Sequence, residues 1–288
     1  KSTTYTNLKI NNTHASGAVL GGATTVTTLT IGDIAASSFL DDGGFTITLS
    51  GSSVLNLTQG KYKLGSAGTA TSFPSFGAIN ISSGTTVEYG SAQAQNISAT
   101  PNYHNLTFTG ASTKTAQGSL SVAGNLTVNA ASQIIDMSSY TGHSIVGNVV
   151  ITAGTLSGNT STITVQGNIS GAGILSGGSG TIKFAGGGTQ TAGATTQTFN
   201  NLTVEKTSGT SVSLTTATTI NGSLVVTSGT FSPGSVILTH NGTTTVADTI
   251  SFPSASGAKT FTGLVTINSG AIWSESAAPV FTFKGGIT

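Results

Sequence analysis

Apolar and polar residues alternate along most of this chain. The alternation runs through Thr24–Ile31, Phe45–Leu49 and Val54–Leu57, and again through Ser161–Val165, Ser211–Leu214 and Ser223–Val226. A period of two predicts extended strands with one buried face. Thr, Val and Ile are branched at Cβ, which restricts χ1 and suits them to strands. Gly and Asn punctuate the pattern where the chain has to turn. No Ala/Leu/Glu/Lys stretch shows a 3.6-residue period, so helices are expected to be nearly absent.

A short phrase recurs within this pattern. It reads Gly124-Asn125-Leu126-Thr127-Val128, then Gly147-Asn148-Val149-Val150-Ile151, then Gly167-Asn168-Ile169-Ser170. The apolar markers 126, 149 and 169 are 23 and 20 residues apart. A second phrase, aromatic-x-Asn-Leu-Thr, stands around Asn7, Asn105 and Asn201, at intervals of 98 and 96 residues. A short period nested in a long one is the mark of a solenoid. The expected fold is therefore all-β, a parallel β-solenoid with coils of about 20–23 residues. Its super-repeats run approximately 5–102, 103–198 and 199–288, within one continuous repeat domain 1–288. Tandem β-sandwiches of about 97 residues each are the alternative. The inner period and the single Trp273 count against them.

Composition narrows the function classes. Only 6% of the 288 residues are charged, and all nine basic residues are Lys. The sequence holds 53 Thr and 39 Ser, so hydroxyls make up nearly a third of the chain. A net charge of +1 without Arg offers no electrostatic footprint for nucleic acid. No run approaches the roughly 18 apolar residues of a membrane span. Zero Cys excludes disulfides and thiolate metal sites.

The phrases Gly84–Tyr89, Tyr103–Thr107, Gly124–Val128 and Thr152–Leu156 together resemble the repeat grammar of secreted bacterial β-solenoid proteins. Examples are filamentous-haemagglutinin and autotransporter-type adhesins, and similar surface repeat proteins of Bacteroidota-like bacteria. The resemblance covers most of Gly84–Thr288. It implies an exported, cell-surface or fibrous protein and transfers no catalytic residues.

Candidate chemistry is sparse. Glycoside cleavage needs two convergent carboxylates, but the eight acids are scattered and only Asp41 and Asp42 adjoin. That pair reads as the solvated tip of a loop spanning Asp33–Gly44, and with Asp33 it is a weak calcium candidate. Asp136, Tyr140 and His143 lie within eight residues but suit a coil-to-coil loop equally well. His14, His104 and His240 lack ligand spacing and read as surface residues. Eleven Asn-x-Ser/Thr triplets follow largely from the repeated phrase, and a ladder of stacked Asn is the plainer reading. Thr-x-Thr pairs such as Thr46/Thr48 and Thr189/Thr191 fall at irregular steps, which sets composition above an ice-binding array.

No enzyme activity, cofactor or metal is expected. The expected role is an extracellular stalk, fibre subunit or adhesin repeat that self-associates end to end or with neighbouring repeats. The strand edges expected to carry this contain Tyr5, Asn7, Leu8 and Ile10 at one end, and Phe281, Phe283 and Ile287 at the other. Gly285–Thr288 resembles the start of another coil, so the chain is expected to be part of a longer protein or a stacking subunit. A glycan-binding module is the alternative, with Tyr62, Phe73 and Trp273 as its contact residues. Carbohydrate-active enzyme and ice-binding protein rank lower.

Overall fold

The structure, a computed structural model, describes residues 2–14, 16–34 and 37–288. Two compact units are formed, by residues 1–136 and 137–288. Each is a stack of short parallel strands wound as a β-solenoid. No helix occurs among the described residues.

In the first unit, Thr3–Ile10 pairs in parallel with Thr24–Ile31, which pairs in turn with Ile47–Leu57 and then Ala78–Ile81. A second stack runs through Ala18–Val19, Phe39–Asp41, Lys61–Leu64, Thr86–Tyr89, Asn105–Phe108 and Leu126–Asp136. In the second unit, one stack climbs from His143–Ile145 through Thr162–Val165, Thr181–Gly186, Asn201–Lys206, Leu224–Ser228 and Thr244–Val246 to Val265–Ile267. Another begins with Val149–Ser157, Ile169–Ser176 and Gln190–Phe199. It continues in part through Thr218–Ile220, Leu238–His240, Lys259–Phe261 and Phe281–Phe283.

Every one of these ladders is parallel, which removes the antiparallel sandwich alternative. Register steps range from 19 residues, Thr86 to Asn105, to 26, Thr28 to Val54. Coil length therefore varies at the corners while the strands stay in line. Alternate residues point inward and stack on their counterparts. Val204, Val226 and Val246 are register partners and all are fully buried. Each such side chain contributes on the order of 1.5–3 kcal/mol by burial.

The recurring Gly has a steric cause. A methyl group on Gly242 would overlap the carbonyl oxygen of Gly222, and one on Gly263 would overlap that of Gly242. Backbones thus sit on backbones at this corner, and no Cβ fits between them.

Two local expectations change. Phe45–Leu49 and Val54–Leu57 are not separate strands, because Ile47–Leu57 is continuous. It bends at Gly51, where φ is +61° and the register against the neighbouring strand shifts between Val26 and Thr28. The expected loop Asp33–Gly44 contains the strand Phe39–Asp41, while its residues 35 and 36 lie outside the described residues. Both Phe-Pro pairs lie where a strand is absent or ends. Residues 65–77 carry no strand, and Pro253 follows directly on the strand Thr249–Phe252.

Candidate functional site

The first edge is built by Thr3–Ile10. Its apolar residues are register partners of fully buried ones: Tyr5 of Val26, Leu8 of Leu29 and Ile10 of Ile31. Tyr5 itself is 41% exposed, and Leu8 and Ile10 are half-buried. Tyr5, Leu8, Val19 and Leu20 line an open pocket of about 380 Å³ beside Gly21 and Gly22. Asn7 is exposed, one residue before the inward-facing Leu8.

In the second unit, Phe281 and Phe283 are partners of buried Lys259 and Phe261, and Ile287 bridges to buried Val265. Val265 N–H donates to Gly286 O, and Thr288 N–H donates to Val265 O. The Gly285–Thr288 phrase therefore adds to the ladder as its likeness to Gly-Asn-Leu-Thr predicts. Phe281 and Phe283 are half-buried, and Ile287 is 50% exposed. Trp273 joins the same aromatic cluster, 4.8 Å from Phe252 and 5.7 Å from both Phe281 and Phe283 by ring centroids. Its Nε1–H donates to Glu275 Oε1 at 2.7 Å.

The other two aromatic candidates are core residues. Tyr62 is fully buried and Phe73 nearly so, with centroids 6.0 Å apart, and Phe73 also meets Tyr103 at 6.4 Å. The physical reason is parity and corner closure. Tyr62 shares its strand face with Leu64, and Phe73 folds inward from the irregular segment against Tyr62, Phe76 and Tyr103. Neither presents a ring to a glycan.

Asp41 and Asp42 are not a solvated tip. Asp41 Oδ2 accepts from Lys63 Nζ at 2.7 Å, and its Oδ1 accepts from Gly43 N–H. Asp42 is buried: Oδ1 accepts from Gly44 and Gly65 N–H at 2.9 and 2.8 Å, and Oδ2 accepts a short bond from Thr71 Oγ1. Burial raises its carboxyl above the usual range, against the opposing pull of those three donors. Both carboxylates are spent on fixing a corner. Asp33 pairs instead with Lys9 at 2.8 Å. Among the described residues, no group of three His, Asp or Glu side chains is placed to hold a metal ion.

His240 is fully buried rather than on the surface, because it shares inward parity with Leu238. Its Nε2 faces Gly222 O and its Nδ1 faces Thr244 Oγ1, both at 2.9 Å. Those partners fit a neutral ring, with Nε2–H donating and Nδ1 accepting, and burial lowers its pKa. His143 is also buried, with Nε2 2.9 Å from Met137 O, and burial again lowers its pKa. Tyr140 is exposed and meets His143 edge-on at 6.3 Å.

Three phrase Asn side chains bond to backbone across coils. Asn105 Oδ1 accepts from Asn125 N–H, Asn148 Oδ1 from Asn168 N–H and Asn201 Oδ1 from Ser223 N–H. Each ties one coil to the backbone of the next. Direct amide pairs occur at Asn56 with Asn80 and at Asn221 with Asn241.

Three lysines form an arrangement the sequence reading missed. Lys114, Lys206 and Lys259 are buried, at 0%, 2% and 0% exposure. Lys114 Nζ donates to Ser91 O, Gln93 O and Ala111 O at 2.7, 2.7 and 3.1 Å. Lys259 Nζ donates to Val236 O, Ser256 O and Gly257 O at 2.6, 3.2 and 2.5 Å. Lys206 Nζ donates to Ala185 O and, by a short bond, to Gln190 Oε1. Desolvation lowers all three ammonium pKa values, that of Lys114 to about 8. The available signal is parity: Lys114 lies two residues from Ala116, Lys206 two from Val204 and Lys259 two from Phe261, all core positions. Their ammonium groups gather carbonyls at the corners, which is a structural task.

Comparison with known protein families, with curated proteins and with solved structures returns no match, and the structure by itself places this chain among the parallel β-solenoids.

Proposed function

We propose that this chain is a structural segment of an extracellular stalk, fibre or adhesin repeat region, exported to a bacterial surface and extended by β-strand stacking. One observation carries the reading. The edge positions Tyr5, Leu8, Ile10, Phe281, Phe283 and Ile287 occupy, in register, the columns that are buried one coil further in. A further parallel layer laid on either edge would extend both the hydrogen-bond ladder and the apolar column.

Two features support it. The buried lysines, Asp42 and the phrase Asn residues are occupied in fixing corners, which makes for stiff coils. A third of the residues carry hydroxyls, which gives a neutral coat. The glycan-binding alternative is weakened, since Tyr62 and Phe73 are internal.

Negative-stain electron microscopy of the purified chain, across a concentration series, tests the reading. Rods that lengthen with concentration are expected, and Leu8→Lys or Phe283→Lys is expected to disperse them. Single particles at every concentration, with both variants unchanged, would sink the self-stacking form of the proposal.

A further inference from the structure

One face of the second unit carries an array that no functional element described so far uses. Thr198, Thr219, Thr239, Thr260 and Thr282 are consecutive register partners, one per coil. Ser157 and Ser176 extend the same column in the opposite direction. All seven point outward: buried residues flank Thr198, Thr219, Thr239, Thr260, Ser157 and Ser176, and half-buried Phe281 and Phe283 flank Thr282.

A second column runs beside the first. Two residues before each Thr stand Thr196, Ala217, Ile237, Ala258 and Val280, and every one is exposed. Ile237 is 55% exposed and Val280 67%. The backbone keeps these residues in line, since Thr218 N–H donates to Ile237 O, Leu238 N–H to Ala258 O and Lys259 N–H to Val280 O. Thr196 is also the partner of Ile174, which is 43% exposed.

The array is two-dimensional and its spacing is set by the fold. Neighbouring strands in a sheet are about 4.8 Å apart, and residues two apart along a strand are about 6.6 Å apart. Hydroxyls and methyls alternate across it on that grid. Neither column contains a charged or an aromatic residue.

That chemistry selects a partner. A nucleic acid or mineral surface needs charge, and a polysaccharide surface is gripped by aromatic rings; this face has neither. A second copy is disfavoured by area. Seven coils at about 4.8 Å by two columns at about 6.6 Å give roughly 450 Å². Stable protein interfaces need about 800 Å² per partner. A rigid neutral grid of hydroxyls among methyls fits a partner that is itself a periodic lattice of hydrogen-bonding groups. Water above the methyls has no acceptor below it and is forced into cages, while the Thr hydroxyls anchor those cages at fixed intervals.

We propose that this Thr and β-branched face binds the surface of ice. Along the chain, Thr-x-Thr pairs fall irregularly. The regularity lies across coils, where variable corner lengths hide it.

The test is partition of the intact chain into a slowly grown ice hemisphere, with recrystallisation inhibition as a second readout. Thr239→Lys places a charge at the centre of the array on an outward position, and Thr203→Lys does the same on a different sheet. Circular dichroism melts establish that both variants fold. Enrichment of the wild type and of Thr203→Lys, with loss for Thr239→Lys, is the expected result. Exclusion of the wild type from ice overturns the proposal, as does equal behaviour of the two variants. Concentration-dependent dimers that Thr239→Lys abolishes, seen by sedimentation without ice enrichment, would also overturn it and assign the face to a second copy.

Discussion

Replacing Lys114 with Met tests whether the buried lysines hold the corners. Met keeps most of the stem volume, so the apolar packing is nearly conserved. What is lost is the donor to Ser91 O, Gln93 O and Ala111 O. A buried carbonyl left without a donor costs about 1–3 kcal/mol. Local opening lets water reach part of this corner, so the three together come to about 2–4 kcal/mol. The appropriate assay is native-state hydrogen exchange, which reports local opening and does not require the whole chain to unfold in two states. At about 1.4 kcal/mol per tenfold, amides of Ser112–Ala116 and Gln95–Ile97 should exchange roughly 30- to 1,000-fold faster. Lys183→Met is the comparison. Lys183 is an outward residue paired with Glu205 at 2.5 Å, and its loss should cost under about 1 kcal/mol. If Lys114→Met exchanges like the wild type, the carbonyl cage contributes nothing and the reasoning fails.

Further outcomes follow from the same geometry. The Lys114 ammonium pKa is lowered to about 8 in the fold, so between pH 8 and the ordinary lysine value of 10.5 the unfolded chain holds a proton the native one has released. Stability should therefore rise with pH across that window, and Lys114→Met should flatten the rise in melting temperature. Burial lowers the His240 pKa as well, so its contribution is present above the ordinary histidine value of 6.5 and is lost as pH falls below it. Replacing His240 with Gln should shift the acid limb of a melting-temperature profile; an unchanged limb would exclude it as a titrating group. Gly242→Ala would drive a methyl into Gly222 O, and we expect loss of more than about 3 kcal/mol or a chain recovered only from inclusion bodies. A soluble variant melting within a degree of wild type would disprove the steric account. Tyr89, buried beside Tyr103 with hydroxyls 2.9 Å apart, is held up at about 12. Its ultraviolet titration should be absent at pH 11 in the native state and appear on unfolding.

The fold was legible in the sequence because a solenoid is nearly one-dimensional. The period-two alternation in Thr24–Ile31 and the Gly-Asn phrase at 124, 147 and 167 specify strand, turn and coil length from local text alone. Burial of ordinary side chains followed as well: Val204, Leu224 and Val226 face inward by parity.

Where reading failed, the cause was a long-range contact. Residue type placed Tyr62, Phe73, Asp42 and His240 outside, whereas register and corner closure put them inside. Lys114, Lys206 and Lys259 look like solvated charges until their parity is set against the carbonyls that meet them from other coils. The Thr column from Thr198 to Thr282 exists only in three dimensions. Its members are 20 to 22 residues apart in the chain, and the hydrogen-bond register is what brings them into one line. Sequence alone determined that the chain coils, since periodicity is a local property. Which side chains share a column was decided by the tertiary structure, because corner lengths vary and only backbone pairing absorbs the difference.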